Sequence, residues 1–315
     1  MAYVLRRLGV SLVLIWLVAT LIFAVLRLIP GDPAEMLLSS GGVAPDPAAV
    51  AELRERLGLE RPVLEQYGGF LQRLARLDLG TSMQDDRPVI EDIARRLPRT
   101  LELVLASTIL AVAIGLPLGV SAALHRDGPL DRALSTISSF TMSVPVFVTG
   151  SVLVLLFAQK LRWVPAGGFV PLSQDPYTHL KVLLMPAVTI ALGFSAVVFR
   201  MMRTTTLEMQ ERDWVRTARA KGLEERQVIR RHVVRNALGP VLTVVGLHMG
   251  TLLGGTVLVE YVFNWPGLSG FLVRAVEQRD YPEVQGIVLV ICSLFVLLNL
   301  AVDLVYAVLD PRVRR

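Results

Sequence analysis

The stretch from Arg200 to Arg235 reads RMMRTTTLEMQERDWVRTARAKGLEERQVIRRHVVR, and it carries ten of the chain's 32 Lys and Arg residues. Apolar runs of membrane-spanning length flank it, Val182–Phe199 before and Asn236–Val259 after. Charged side chains and unpaired backbone are costly in hydrocarbon, so a polar insert between two spans lies in water on one face of the bilayer. Inside it, Trp214-Val-Arg-Thr-Ala-Arg-Ala-Lys-Gly222 reads as a short helix stopped by a glycine that can adopt a left-handed turn. Glu224 to Arg235 reads as a second helix leading into the next span. Helix, glycine turn and helix make a compact knob. Ala218 and Ala220 keep part of its surface thin, while Arg216, Arg219 and Lys221 offer charge to an acidic partner.

The rest of the composition agrees with a membrane protein. The chain has 315 residues, of which 53% are hydrophobic and only 19% charged, and its mean hydropathy is +0.55. A soluble domain of this size would leave much of that apolar surface in water. The net charge of +5 does not point to nucleic acid, because the basic residues collect in particular loops, as membrane orientation requires. The single cysteine, Cys292, sits in an apolar run and reads as a small packing residue; it allows no intrachain disulfide and no paired-cysteine metal site.

Six apolar runs are long enough to span: Leu8–Leu26, Leu103–Leu124, Ala133–Gln159, Val182–Phe199, Asn236–Val259 and Val284–Val302. The first follows Arg6 and Arg7 as a signal peptide would, but it is long and no small-x-small cleavage site follows, so it reads as a retained span. Six spans place both termini on one side. The short segments on that side, with the Arg200–Arg235 loop, are far richer in Lys and Arg than the short loops 160–181 and 260–283. The termini and the basic loop are therefore expected in the cytoplasm.

Three parts follow: residues 1–29 as the N-terminus and first span, 30–98 as an outer helical segment, and 99–315 as the core with the loop 200–235. In the outer segment, Asp46-Pro47, Pro62 and Pro88 each start a short helix. The third, with Val89, Ile90, Ile93 and Leu97 apolar, is expected to lie in the interface before the second span.

The chain lacks GxxxxGK[ST], HExxH, GxSxG and any paired-cysteine signature, and its four histidines are scattered. No catalytic or metal site is expected. His248 lies mid-span and reads as a neutral histidine bonded to a neighbouring helix. Glu260 lies near a span end within reach of water or headgroups, where its reading is structural. Trp214 is placed to anchor the loop at the lipid interface or to pack.

The knob resembles the EAA loop of permease subunits of ABC importers. That pattern is Glu-Ala-Ala, three residues, Gly, nine residues, Ile-x-Leu-Pro. Here Arg216-Thr217-Ala218 occupy the first three positions, Gly222 matches, His232 and Val234 fall at the Ile and Leu positions, and Arg235 replaces the proline. The variant looks like that of the dipeptide/oligopeptide branch, with Trp214 where that branch commonly has Tyr. Further stretches are similar to that branch over nearly the whole chain: Arg27-Leu-Ile-Pro-Gly-Asp-Pro33, Asp78-Leu-Gly-Thr-Ser82, Arg96-Leu-Pro-Arg-Thr-Leu-Glu-Leu103, Val144-Pro-Val-Phe147, Trp163-Val-Pro-Ala-Gly167, Glu260-Tyr-Val-Phe-Asn-Trp-Pro-Gly267, Arg279-Asp-Tyr-Pro282 and Asp310-Pro-Arg312. The long segment after the first span resembles the first of the two permease subunits.

The resemblance implies an all-α membrane protein with the type I ABC importer permease fold. It implies a bacterial plasma-membrane subunit that pairs with a second, related permease, two ATP-binding subunits and an extracytoplasmic binding protein. It implies ATP-driven import of di- or oligopeptides, with ATP and Mg bound by the partners and no cofactor in this chain. Coupling residues carried over are Trp214, Arg216, Thr217, Ala218, Ala220 and Gly222, and the resemblance makes Glu260 a candidate for the outer gate or for contact with the binding protein. Another small solute, a nickel chelate or glutathione, remains open as cargo. An ion-coupled secondary transporter is disfavoured, since the span interiors are nearly free of acids.

Overall fold

The computed structural model describes residues 2–28, 46–56 and 60–309, together with Glu35. Asp310–Arg312 and most of Arg27–Pro33 lie outside the described residues. Within them the regular secondary structure is helical apart from one isolated bridge between Thr81 and Pro88. The elements are α1 (Ala2–Leu28), α2 (Pro47–Arg56), α3 (Val63–Ala75), α4 (Val89–Leu124), α5 (Pro129–Ser143), α6 (Val146–Leu153, running on as a π-helix over Val154–Lys160), α7 (Pro176–Gln210) and α8 (Asp213–Ala220). After a turn at Glu225–Gln227 and a π-helical stretch Val228–Val234 come α9 (Arg235–Gly255), α10 (Val257–Val262), α11 (Leu268–Glu277) and α12 (Tyr281–Leu309). Among the described residues, five helices are long and apolar enough to cross a membrane, and α5 with α6 makes a sixth candidate, bent by 100°.

Two details differ from the sequence reading. The helix that starts after Pro88 is not a separate interfacial element; it is the beginning of α4, which runs unbroken through Pro98 across the expected boundary at residues 98 and 99. Val89, Ile93, Thr100 and Val104 form one buried stripe on either side of Pro98. That continuous stripe outweighs the one backbone hydrogen bond a proline removes. The third span, in contrast, does break. Val144 is extended, with ψ 124°, ahead of Pro145, because a proline ring disfavours helical backbone in the residue before it.

The centre of the bundle is the pair α4 and α7, which run parallel. Glu102 meets His179 near their starts, and Gly119 meets Met202 and Phe199 near their ends. A Cβ at Gly119 would come within 2.7 Å of the Met202 Cβ, so only glycine permits this approach. Around this pair, Ala111, Phe194, Val198, Met202, Ala237 and Val241 form one buried cluster, tying α9 to it. The first span packs on the last through Ala19, Ile22 and Leu289, and Phe70 of α3 joins that cluster. α3 is further held by Tyr67, whose hydroxyl pairs with the Thr20 hydroxyl at 2.7 Å. Many span residues remain exposed, Leu12, Ile109, Ile137 and Phe140 among them, as lipid-facing or partner-facing surface requires.

Candidate functional site

The expected knob is present at the end of the bundle where α4 and α7 finish. α8 follows α7 after only Glu211 and Arg212. Its stop is a Schellman motif: the Gly222 N–H donates to the Arg219 carbonyl at 2.9 Å and the Leu223 N–H to the Ala218 carbonyl at 3.4 Å. Gly222 has φ +78°, in the left-handed region that glycine occupies without strain. Arg219 donates two hydrogen bonds to Glu225, at 2.7 and 3.0 Å, bridging the turn from helix to helix.

α8 has two faces. Val215 and Ala218 are buried and cluster with Val228 and Val233 of the π-helical stretch, with Met209 of α7 packed alongside. Trp214, Arg216, Thr217, Ala220 and Gly222 are exposed. Ala218, at 5% exposure, thus faces this chain's own core and is not on the free surface that its small size suggested. Its size has another use, since it lets α8 lie close on the π-helical stretch. Val215, Val228 and Val233, which fasten the knob, were not singled out from the sequence; the only signal was the apolar spacing of Val215 and Ala218. Arg212 places its guanidinium 5.8 Å from the Trp214 ring.

At the opposite end, motifs far apart in sequence converge. Glu260 on α10 is 2% exposed. It accepts hydrogen bonds from the Thr100 hydroxyl at 2.9 Å, the Thr256 hydroxyl at 3.0 Å and the Gly270 N–H at 2.7 Å. This corrects the expectation that Glu260 reaches water: α10 is a short turn of helix that points the carboxyl into its own loop. Burial pushes its pKa upward, against hydrogen bonds from Gly270, Thr100, Thr256 and Ser269.

The same region is stitched by Trp265 Nε1, which donates to the Arg99 carbonyl at 3.1 Å, and by the Gly168 N–H, which donates to the Phe263 carbonyl at 2.8 Å. Ser82 donates to the wholly buried Asp280 at 2.6 Å. An open cleft of about 550 Å³ lies beside this hub, lined by Arg95, Arg99, Glu102, Phe169, Ser173 and His179 among others. His179 Nε2 lies 2.6 Å from Glu102, and the Arg99 guanidinium sits 4.4 Å over Phe169. His248 is elsewhere, mid-span, with its ring 4.2 Å from that of Phe194. Its packing is aromatic, in place of the expected bond to a neighbouring helix.

Among the described residues, no group of His, Cys, Asp or Glu is arranged to hold a metal ion. The arrangement is thus a helical bundle with an exposed, internally braced knob at one end and a densely hydrogen-bonded hub at the other. Residues 115–315 match the model of the binding-protein-dependent transport system inner membrane component, and residues 1–104 match the N-terminal part of such components. This chain belongs to that family.

Within it, this inner membrane component is 39% identical over 334 residues to the di/tripeptide transport system permease protein DppB of Pseudomonas aeruginosa (strain UCBPP-PA14), covering 100% of this chain and 99% of that protein. It is also 39% identical over 312 residues to the glutathione transport system permease protein GsiC of Salmonella choleraesuis (strain SC-B67), covering 99% and 98%. The inward-facing methionine ABC transporter MetNI is similar in fold, with a TM-score of 0.57, 20% identity, and coverage of 70% of this chain and 97% of that one. The fold class read from the sequence, an all-α permease of the type I ABC importer kind, is the one the family and this neighbour share.

Proposed function

We propose that this permease forms half of the translocation path of an ATP-driven importer of di- or oligopeptides, and that α8 is the helix on which an ATP-binding subunit docks. The observation that carries the reading is the knob itself: an amphipathic two-turn helix that fastens one face to its own chain and leaves Trp214, Arg216, Thr217, Ala220 and Gly222 exposed at the end of α7. Its position at the end of a core helix suits it to pass a push into the bundle.

The partners in this reading are a second homologous permease, two ATP-binding subunits that hold ATP and Mg, and an extracytoplasmic binding protein. No catalytic step is assigned to this chain. The basic loop sets the orientation, with both termini and the knob in the cytoplasm. The hub and the Arg95–Arg99 cleft then face outward, where the binding protein arrives. Peptide cargo follows the relatives that cover the whole chain; a glutathione permease at the same identity keeps another small peptide-like solute as the second reading.

The test is Gly222→Asp in the assembled complex. It is expected to abolish ATP-stimulated transport, because a branched, charged side chain meets both the left-handed turn and the partner's surface, while membrane insertion is unchanged. Unaltered ATP-stimulated uptake in that variant removes the docking role. Cargo is settled separately, by calorimetry of the cognate binding protein against dipeptides, longer peptides and glutathione.

A further inference from the structure

Beyond the knob, one ion pair joins the helix that bears it to the bent third span. Asp131, on the first turn of α5, is 2% exposed. Arg203, two turns before the end of α7, donates to it through both prongs of the guanidinium, Nε to Oδ1 at 2.6 Å and Nη2 to Oδ2 at 2.7 Å. The Ser135 hydroxyl, at 3.3 Å, and the Asp127 N–H, at 3.0 Å, complete the carboxylate's partners. A two-pronged pair fixes orientation as well as distance. Further along α5, the Ser138 hydroxyl donates to the Ala196 carbonyl of α7 at 3.3 Å. α5 is therefore lashed to α7 at two levels. α6, beyond the 100° bend, is held differently: Gly150 rests against Thr189 and Phe263 with no such bond.

The knob reaches this pair through covalent continuity and packing. α8 follows α7 after two residues, Met209 joins the knob's buried cluster, and Glu211 pairs with Arg126 at 3.5 Å just before α5. α8 is thus joined to Arg203 through the Glu211–Arg212 link and the last two turns of α7, and Arg203 in turn holds α5.

We propose that Asp131 and Arg203 are positioning residues that make the inner arm of the third span move with α7, so that motion of the knob is delivered to the bend at Val144-Pro145. The inference rests on α8 being the docking helix. A pair serving only to hold the fold would resist unfolding and would have no bearing on what ATP does to the distance between the two helices.

The experiment uses the assembled importer with Cys292→Ser and spin labels at Phe140 on α5 and Arg200 on α7, both exposed. Distances are measured without nucleotide and after trapping with ATP and vanadate. With the pair intact, one narrow distribution is expected in both states, because the arm follows α7. In Asp131→Leu/Arg203→Met, an apolar pair chosen because it can replace a buried ion pair without loss of stability, the distribution is expected to stay narrow without nucleotide and to shift and broaden on trapping. The swap Asp131→Arg/Arg203→Asp is expected to restore the narrow trapped distribution. A trapped distribution in the Leu/Met variant that matches the intact pair overturns the proposal, as does a shift with the pair intact. Gly222→Asp in the same complex separates this from the docking reading. If docking is wrong, that variant leaves the trapped state of the importer unchanged. If only the link is wrong, it suppresses trapping while the Leu/Met variant behaves as the intact pair.

Discussion

Thr100 donates a 2.9 Å hydrogen bond to Glu260 across 160 residues of sequence, and its own Oγ1 accepts the Leu268 N–H at 2.7 Å. Both side chains are buried, so neither can exchange its partner for water. The hydroxyl is donor and acceptor at once, which ties α4 to the α10–α11 loop through one atom. Thr100→Val keeps the shape and removes both roles. It is expected to cost about 1–3 kcal/mol, the penalty for stranding buried polar groups. Thermal unfolding in detergent reads this directly; an unchanged midpoint would show that the hub does not hold the two ends of the sequence together.

Gly267 lies against the same carboxylate. A Cβ there would collide with Glu260 Oε1, and the carboxylate is held by hydrogen bonds from Thr100, Thr256 and Gly270. Gly267→Ala is expected to destabilise by about 1–3 kcal/mol, as overfilled sites do. Gly168→Ala is a useful control, because nothing stands within 4 Å of its Cβ and only its φ of +112° opposes the change. If the two variants melt alike, steric contact with Glu260 is not what selects glycine at position 267.

Glu260 also fixes a pH dependence. Its folded pKa is raised above the ordinary 4.5 by burial. The folded state then holds a proton that the unfolded state has already released, so this group's contribution to stability falls as pH rises from about 4.5 through the folded value. Glu260→Gln cannot titrate. The difference in melting midpoint between native protein and variant should therefore vary with pH over that window and level off above it. A difference that is flat in pH contradicts a perturbed Glu260.

The two alanines of α8 make opposite predictions. Ala218 is buried under the knob and Ala220 is exposed. Ala218→Leu is expected to lower the melting midpoint by overfilling the contact with Val228 and Val233. Ala220→Leu should melt normally and yet lose ATP-stimulated transport, because it enlarges the exposed face of α8 on which the proposed docking rests. Equal melting loss in both would mean that α8 has no free face.

Much of the molecule was legible in its residues. Hydropathy located the six candidate spans, and clustering of Arg located the loop, because both follow from the cost of charge in hydrocarbon. The glycine stop of α8 was legible since few residues adopt φ +78° at a helix end. The candidate residues of the knob were named as a group. Their division into fastening and free faces was not legible, because the partner surface for Val215 and Ala218 is the π-helical stretch Val228–Val234, whose altered pitch no simple periodicity reveals. Residue 98 was placed at the end of the outer segment and the third span was read as one run; only the structure showed that α4 passes through Pro98 while the span bends at Val144-Pro145.

The sequence by itself thus determined a membrane-embedded helical chain, the approximate positions of its candidate spans and the place of its polar knob. Those are properties of composition and short-range pattern, set by transfer between water and lipid. Tertiary structure alone decided that Glu260 is buried among Thr100, Thr256 and Gly270, and that Asp131 is held by Arg203. Hydrogen bonds and ion pairs act over about 3 Å. Their partners are chosen by how helices dock, and in this chain the Asp131–Arg203 and Thr100–Glu260 pairs span 72 and 160 residues.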